Sequence, residues 1–410
     1  MNVFYDGSWI KQWQDARAAG RFSRVDMDSD EFRKLEEIHR LYRADKAFEQ
    51  DCIGLWPKLP RHRNIQVYEN WLKELYCHLR YHIGLFTYKP DAARWLDKRK
   101  NPKPPKAPED PEQLDRLQLF IWDPRTSIAL FLSSIWFDNG WQNKRDWCRD
   151  APLLISFYVD FLLRVGFHAE EAGIQELESA RALLDSARTE LPQTLVIARA
   201  LRCSVSRGLK ELWADQHGAS SAQPTAQSSV PQNWAELAFD DAAWFKPDPG
   251  AMPLISLLGP TTLPLTHTLG LVETSTRRIV SILPPKSSTS GRNNGVDEEL
   301  AHHLGQVILA PWGLPPDDCS HIMPPTTSMR HGSHGPTCHN PNRGAITVLV
   351  EPPVLNALIV GMGLSATFAQ IIPHASEESE RDHYWFVEDV HQVIPSYYID
   401  EPAPPSPELL

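Results

Sequence analysis

Proline constrains this chain more than any other residue, with 35 prolines among 410 residues against 21 glycines. The pyrrolidine ring fixes φ and removes a backbone donor, so proline is confined to element starts, loops and sheet edges. Regular structure must therefore lie between the proline-rich stretches. Residues 101–112, 217–232, 286–295 and 323–344 read as linkers, and the tail 401–410, EPAPPSPELL, is too proline-rich to pack. That punctuation predicts a helical basic and aromatic region over 1–100, a helical core over 113–215 and a mixed region over 233–400.

The 113–215 region carries the clearest helical spacing. Asp150 reads as an N-cap with Pro152 in the first turn, and Gly166 reads as a stop. Between them LLISFYVDFLL is apolar nearly all round, the pattern of a helix buried in a core. Leu177, Ala180, Leu184, Ala187 and Leu191 follow at three- and four-residue steps up to Pro192, which predicts a break. A third helix carries Leu195, Ala198, Leu201, Val205, Leu209 and Leu212 on one face, and together these predict an antiparallel bundle. Earlier, 31–49 and 65–81 show helical spacing, with Leu35, Ile38, Leu41 and Tyr42 as a stripe.

Past 232 the periodicity changes. THTLGLVETSTRRIVSILP predicts two short strands around a Thr-Ser-Thr turn, AITVLVE and YWFVEDV predict further strands, and VDEELAHHLGQVIL predicts a helix. The predicted class is α+β: a predominantly helical N-terminal half with a buried bundle, then a mixed C-terminal half with long proline-rich loops.

Charge is divided unevenly. Residues 1–150 hold 26 Lys/Arg and 23 Asp/Glu, whereas 151–410 hold 15 and 29, so the net −11 belongs to the second part. Within 61–106 lie 11 basic and 4 acidic residues among Tyr68, Trp71, Tyr76, Tyr81, Phe86, Tyr88 and Trp95. Cations interleaved with aromatics suit a phosphate backbone with stacked bases, with Arg94, Lys98, Arg99 and Lys100 as candidate contacts. A solvated basic helix face over a local core is the alternative. The sequence contains no apolar run long enough to span a membrane, and MNVFYDGSWIKQWQ lacks the apolar core of a secretory signal. Six cysteines without dense spacing fit a reducing compartment.

Catalytic signatures are missing: HExxH, GxSxG, the P-loop and the kinase set do not occur. The segment CSHIMPPTTSMRHGSHGPTCH offers Cys319, His321, His331, His334, Cys338 and His339 as zinc-type donors, without the paired CxxC spacing of a finger. A metalloprotein or zinc-dependent enzyme built on 319–339 is one alternative reading, and an interaction scaffold of another pathway is a second. LNALIVGMGLSA mimics a dinucleotide turn, but the residues after Gly363 are too few for a doubly wound sheet. Gly361 and Gly363 are therefore expected to permit close backbone packing, and no cofactor is expected. Gly140-Trp141 and Trp312-Gly313 place indoles beside glycines. Trp141 and Trp312 with Gly313 are the candidate partner contacts; Trp141 lies in a strongly aromatic stretch, which favours its burial.

The order of several segments adds a likeness. FIWDPRTSIALFLSSIWF, APLLISFYVDFLL and ELESARALLDSARTELP, with Gly361-Met362-Gly363 and Val393-Ile394-Pro395-Ser396-Tyr397 further on, follow one another along the chain. This succession resembles the fungal Argonaute-binding subunit of the Argonaute siRNA chaperone complex. Phe131 to Ser134, Tyr158 to Leu163, and Ala180 with Arg181 leading to Glu190, Leu191 and Pro192 carry it. After the buried helix, where the family has a His-Asp-Val-Cys-Pro-Glu run, this chain has RVGFHAEEA, and the first hundred residues do not match. The resemblance implies a non-enzymatic partner of Argonaute and of the other chaperone subunits. It implies action in RNA interference and small-RNA-directed heterochromatin, in nucleus and cytoplasm, with small RNA met indirectly or through 61–106.

Overall fold

The computed structural model describes residues 18–20, 30–50, 65–85, 112–168, 170–214, 262–286, 296–313, 322–329, 339–374 and 383–399. The chain divides into two compact units, 1–192 with 397–410 and 193–396. The class is the expected one, with helices in the first half and a mixed sheet in the second. The unit boundary falls at Pro192, inside the region predicted as one helical core.

The first unit is helical among its described residues: α1 (Asp30–Phe48), α2 (Ile65–His82), α3 (Gln113–Trp122), α4 (Pro124–Leu132), α5 (Ser134–Asp138), α6 (Arg145–Arg164) and the start of α7 (Glu171–Ala200). Ile38, Leu41, Ala44 and Phe48 form the buried stripe of α1, and Leu72, Leu75, Tyr76 and Leu79 that of α2. Leu35, of the predicted stripe, has a side chain outside the described set. At the entry to α4, Asp123 Oδ1 accepts from the Thr126 amide at 2.9 Å and Pro124 occupies the first helical position. The core is aromatic: Phe48, Phe120, Phe131, Trp136 and Tyr158 are all at most 1% exposed.

The helix α6 starts five residues before the predicted Asp150, so Asp150 and Pro152 lie inside it. Asp150 instead bonds Arg149, whose Nε donates to its Oδ1 at 2.6 Å. Gly166 ends the helix as expected. Its φ is 63°, and the Phe167 amide donates to the Leu162 carbonyl while the Gly166 amide donates to Leu163, the two bonds of a Schellman stop. Pro192 does not break α7, which continues to Ala200. Proline costs a helix bond and a steric clash, but Ala187 and Leu191 before it and Ile197 and Ala200 after it are buried, and that burial holds the helix. The break comes later, before α8 (Ser204–Ala214), where Glu351 Oε1 accepts from the Val205 amide at 2.9 Å.

The second unit is built on a sheet that closes. One 17-residue strand, β1 (His267–Leu283), occupies the stretch predicted as two strands and a turn. α9 (Thr262–Thr266) precedes it, and after it come α10 (Val296–His303), β2 (Gly305–Pro311), β3 (Thr326–Met329), β4 (Ile346–Val350), α11 (Pro352–Leu355), β5 (Gly363–Pro373) and β6 (Tyr384–Ile394). VDEELAHHLGQVIL is thus a helix followed by a strand, with Leu304 and Gly305 at the change. The linker predicted over 323–344 contains β3, while 217–232, 287–295 and 401–410 lie outside the described residues. The first linker, 101–112, does too, save for its last residue.

β1 pairs antiparallel with β5 along one edge and with β3 and β2 along the other. β2 pairs with β4, β4 runs parallel to β6 at Thr347↔Tyr384 and Val348↔Trp385, and β6 pairs with β5. The ring β1-β2-β4-β6-β5-β1 is therefore closed, with β3 outside it. Register shifts at Leu269/Val272 and at Ile279/Ser281 supply the bends that let β1 serve several neighbours. Ile279, Val307, Leu309, Val348, Leu364, Phe368 and Trp385 fill the interior. Across the outer face of β4, β5 and β6, Leu349, Ile371 and Phe386 are covered by Leu209 and Trp213 of α8 and by Leu300 of α10.

Candidate functional site

Alternation along β1 decides which of its side chains face the ring interior. Ile279 does, and so, at steps of two, do Arg277, Ser275 and Glu273, each at most 2% exposed. The polar run Glu273-Thr-Ser-Thr-Arg277 therefore places a charged pair inside an apolar barrel. Arg277 grips Glu273 bidentately, Nε to Oε1 at 2.6 Å and Nη2 to Oε2 at 2.8 Å. Its Nη1 donates to the Gly344 carbonyl at 2.8 Å, and the Ser275 hydroxyl donates to Glu273. His339 Nε2 meets Glu273 Oε2 at 2.7 Å, with its ring against Trp385 at 5.0 Å between centroids. Burial alone would push the Glu273 carboxyl up, but the bonds from His339, Arg277 and Ser275 hold it below the usual carboxylate range. The serine, the arginine and the histidine all converge on the one glutamate, so the cluster has the geometry of a tether. It ties 339–344, the segment entering β4, to the middle of β1.

Of the six zinc-type donors, His339 alone lies among the described residues, and its Nε2 is engaged with Glu273. Cys319, His321, His331, His334 and Cys338 lie outside them. Among the described residues no three His, Cys, Asp or Glu side chains are grouped to hold a metal ion. Arg94, Lys98, Arg99 and Lys100 also fall outside the described residues, as does most of the basic stretch after residue 85.

The indole candidates separate sharply. Trp141 is 5% exposed and packs against Trp136 at 5.2 Å and Trp147 at 5.4 Å, so it is core and offers no surface to a partner. That removes it from the contact set, and the physical reason is the aromatic density of its own segment. Trp312 behaves differently. It is part-exposed, its amide donates to the Thr276 carbonyl at 3.2 Å, and the Arg278 guanidinium lies 4.4 Å from its ring centroid. Beneath the indole lies Gly363, opposite Arg278 in the β1–β5 register. A Cβ at Gly363 would sit 2.7 Å from the ring, closer than carbon contacts allow, so glycine here is what lets the indole pack against the strand. Gly313, next along, is exposed at φ 128°. Val280 and Val360, 50% and 55% exposed, add apolar surface on the same unit.

Gly363 thus serves close packing, as its sequence context predicts, whereas Gly361 serves a left-handed turn: it adopts φ 97° and its amide donates to the Ile279 carbonyl at 2.8 Å. Gly363→Ala is expected to push the indole off the strand and to lower stability by about 1–3 kcal/mol through overpacking. Thermal unfolding with hydrogen exchange of 307–312 reads both, and parental values in both would contradict this placement.

Small five-stranded barrels that hold oligonucleotides do so across one open face. Here the outer face formed by β4 and β6 is closed by the chain's own helices, with Trp213 stacked on Phe386 at 6.2 Å. Sequence reasoning did not foresee the Glu273–Arg277 cluster, and its one signal was two charges four apart in a β-branched run.

No helix among the described residues is long and apolar enough to cross a membrane. A scan against protein-family models, a search of curated proteins and a search of solved structures each find no match to this chain.

Proposed function

We propose that the chain is a non-catalytic Argonaute-binding subunit. It acts with other chaperone subunits in small-RNA loading and passenger-strand retention, in RNA interference and in small-RNA-directed heterochromatin, in nucleus and cytoplasm. The ordered likeness of its segments to that family supports the reading. Trp312 is the structural observation that carries it: a part-exposed indole held between Gly363 and the Arg278 guanidinium. An anchored aromatic with an arginine is the kind of residue pair around which partner contacts concentrate. The excess of carboxylates over 151–410 adds steering toward a partner with basic RNA-binding surfaces.

Affinity purification of the tagged chain at low salt, with mass spectrometry and small-RNA sequencing, tests the proposal. Recovery of an Argonaute carrying duplex small RNA is expected. Recovery of none overturns it.

A further inference from the structure

A cavity of about 360 Å³ opens in the first unit. One helical face of α1 lines it with Arg33, Glu36, Glu37 and Arg40, at steps of three, one and three. The end of α3 supplies Ile121 and Trp122, and the start of α7 with the turn before it supplies His168, Glu170 and Glu176. The volume is at the small end of ligand pockets.

Two atoms of these lining residues have no hydrogen-bond partner among the described residues. They are Glu37 Oε2 and His168 Nε2, both shut off from solvent. Such atoms cost free energy unless something meets them. The lining also holds four carboxylates against two arginines, and one of those arginines, Arg40, is already 4.0 Å from Glu36. The Glu37 carboxyl is pushed up first by burial and then by the nearby charge of Glu170. Burial and then the Arg40 charge push His168 down, which favours its neutral ring. Gly173 makes room for that ring, since a Cβ there would lie 2.4 Å from it. At the rim Trp122 is 53% exposed, a large aromatic with no burial to explain it, over a floor of buried Ile121.

We propose that this pocket binds a guanidinium group, carried by an arginine side chain of a polypeptide. A guanidinium is planar and rich in donors, so it suits a lining with more carboxylates than arginines and stacks on an indole at the rim. An ammonium is a point charge and satisfies the same set less well. The inference does not depend on Argonaute binding.

Calorimetric titration of the full chain tests it, using a capped arginine, the capped uncharged isostere citrulline, and free arginine. Saturable binding of capped arginine is expected, weakened at least tenfold by Glu37→Gln and by Trp122→Ala, with citrulline silent. Capped arginine binding as well as free arginine supports a polypeptide source. Tighter binding of free arginine overturns that source in favour of the free amino acid. No saturable binding, equal binding of citrulline, or binding untouched by both variants overturns the site. Glu176→Gln replaces either variant that loses its parental circular dichroism spectrum.

Discussion

Arg277→Met is expected to lower the stability of the barrel by about 3–5 kcal/mol, because it strands a buried carboxylate. Glu273 is fully buried, and Arg277 supplies two of its bonds. Removing the guanidinium also leaves the Gly344 and Pro341 carbonyls short of a donor. The double variant Glu273→Leu/Arg277→Met loses the same bonds but buries no charge, so its cost is expected to be smaller than that of the single change. Hydrogen exchange of 271–279 and 346–350 reads the effect within this unit. Equal protection in Arg277→Met and the parent would contradict the tether. The pH dependence has a definite sign. The folded carboxyl titrates below its unfolded value, so its contribution is complete above the ordinary carboxylate pKa and is lost as pH falls through the depressed one.

Arg80→Met is the second large effect expected, again about 3–5 kcal/mol, now in the helical unit. Arg80 Nη2 lies 2.8 Å from Asp45 Oδ2 and links α2 to α1, with the two side chains 3% and 0% exposed. Tyr76 donates to Asp45 Oδ1 at 2.6 Å. Here the balance differs from that in the barrel. Burial pushes the Asp45 carboxyl up, and the Arg80 charge and the Tyr76 bond only partly offset it. Asp45→Asn is therefore expected to cost less than Arg80→Met: the tyrosine keeps an acceptor, and Glu49 remains 3.4 Å from Arg80. Hydrogen exchange of 38–48 and 72–82 gives the ranking, and the reverse order would contradict it.

The two ion pairs mark where sequence and structure part. Helices were legible because their apolar residues recur at the spacing of one face, as in Leu177 through Leu191, and because Gly166 supplies a left-handed stop. Strand β1 was not, because Thr-Ser-Thr between charges has the composition of a turn. Only ring closure turns that polar run inward, where Arg277 finds the carbonyls of Leu309 and Gly344. Local signals also misplaced two helix ends. Asp150 and Pro152 suit a helix start, yet α6 begins at Arg145; Pro192 suits a break, yet buried residues on both sides carry α7 through it. The partner candidates divided for a similar reason. Both tryptophans adjoin glycine, but Trp141 has aromatic neighbours to cover it, whereas Trp312 has a strand glycine beneath and an arginine above.

The central functional claim is that the surface around Trp312 holds an Argonaute. Binding of the purified chain to purified Argonaute, for the parent and for Trp312→Ala, measures it directly. Saturable binding by the parent and at least a tenfold loss in the variant, a change of about 1.4 kcal/mol, are expected. Parent and variant binding with equal affinity, or neither binding at low salt, would contradict it.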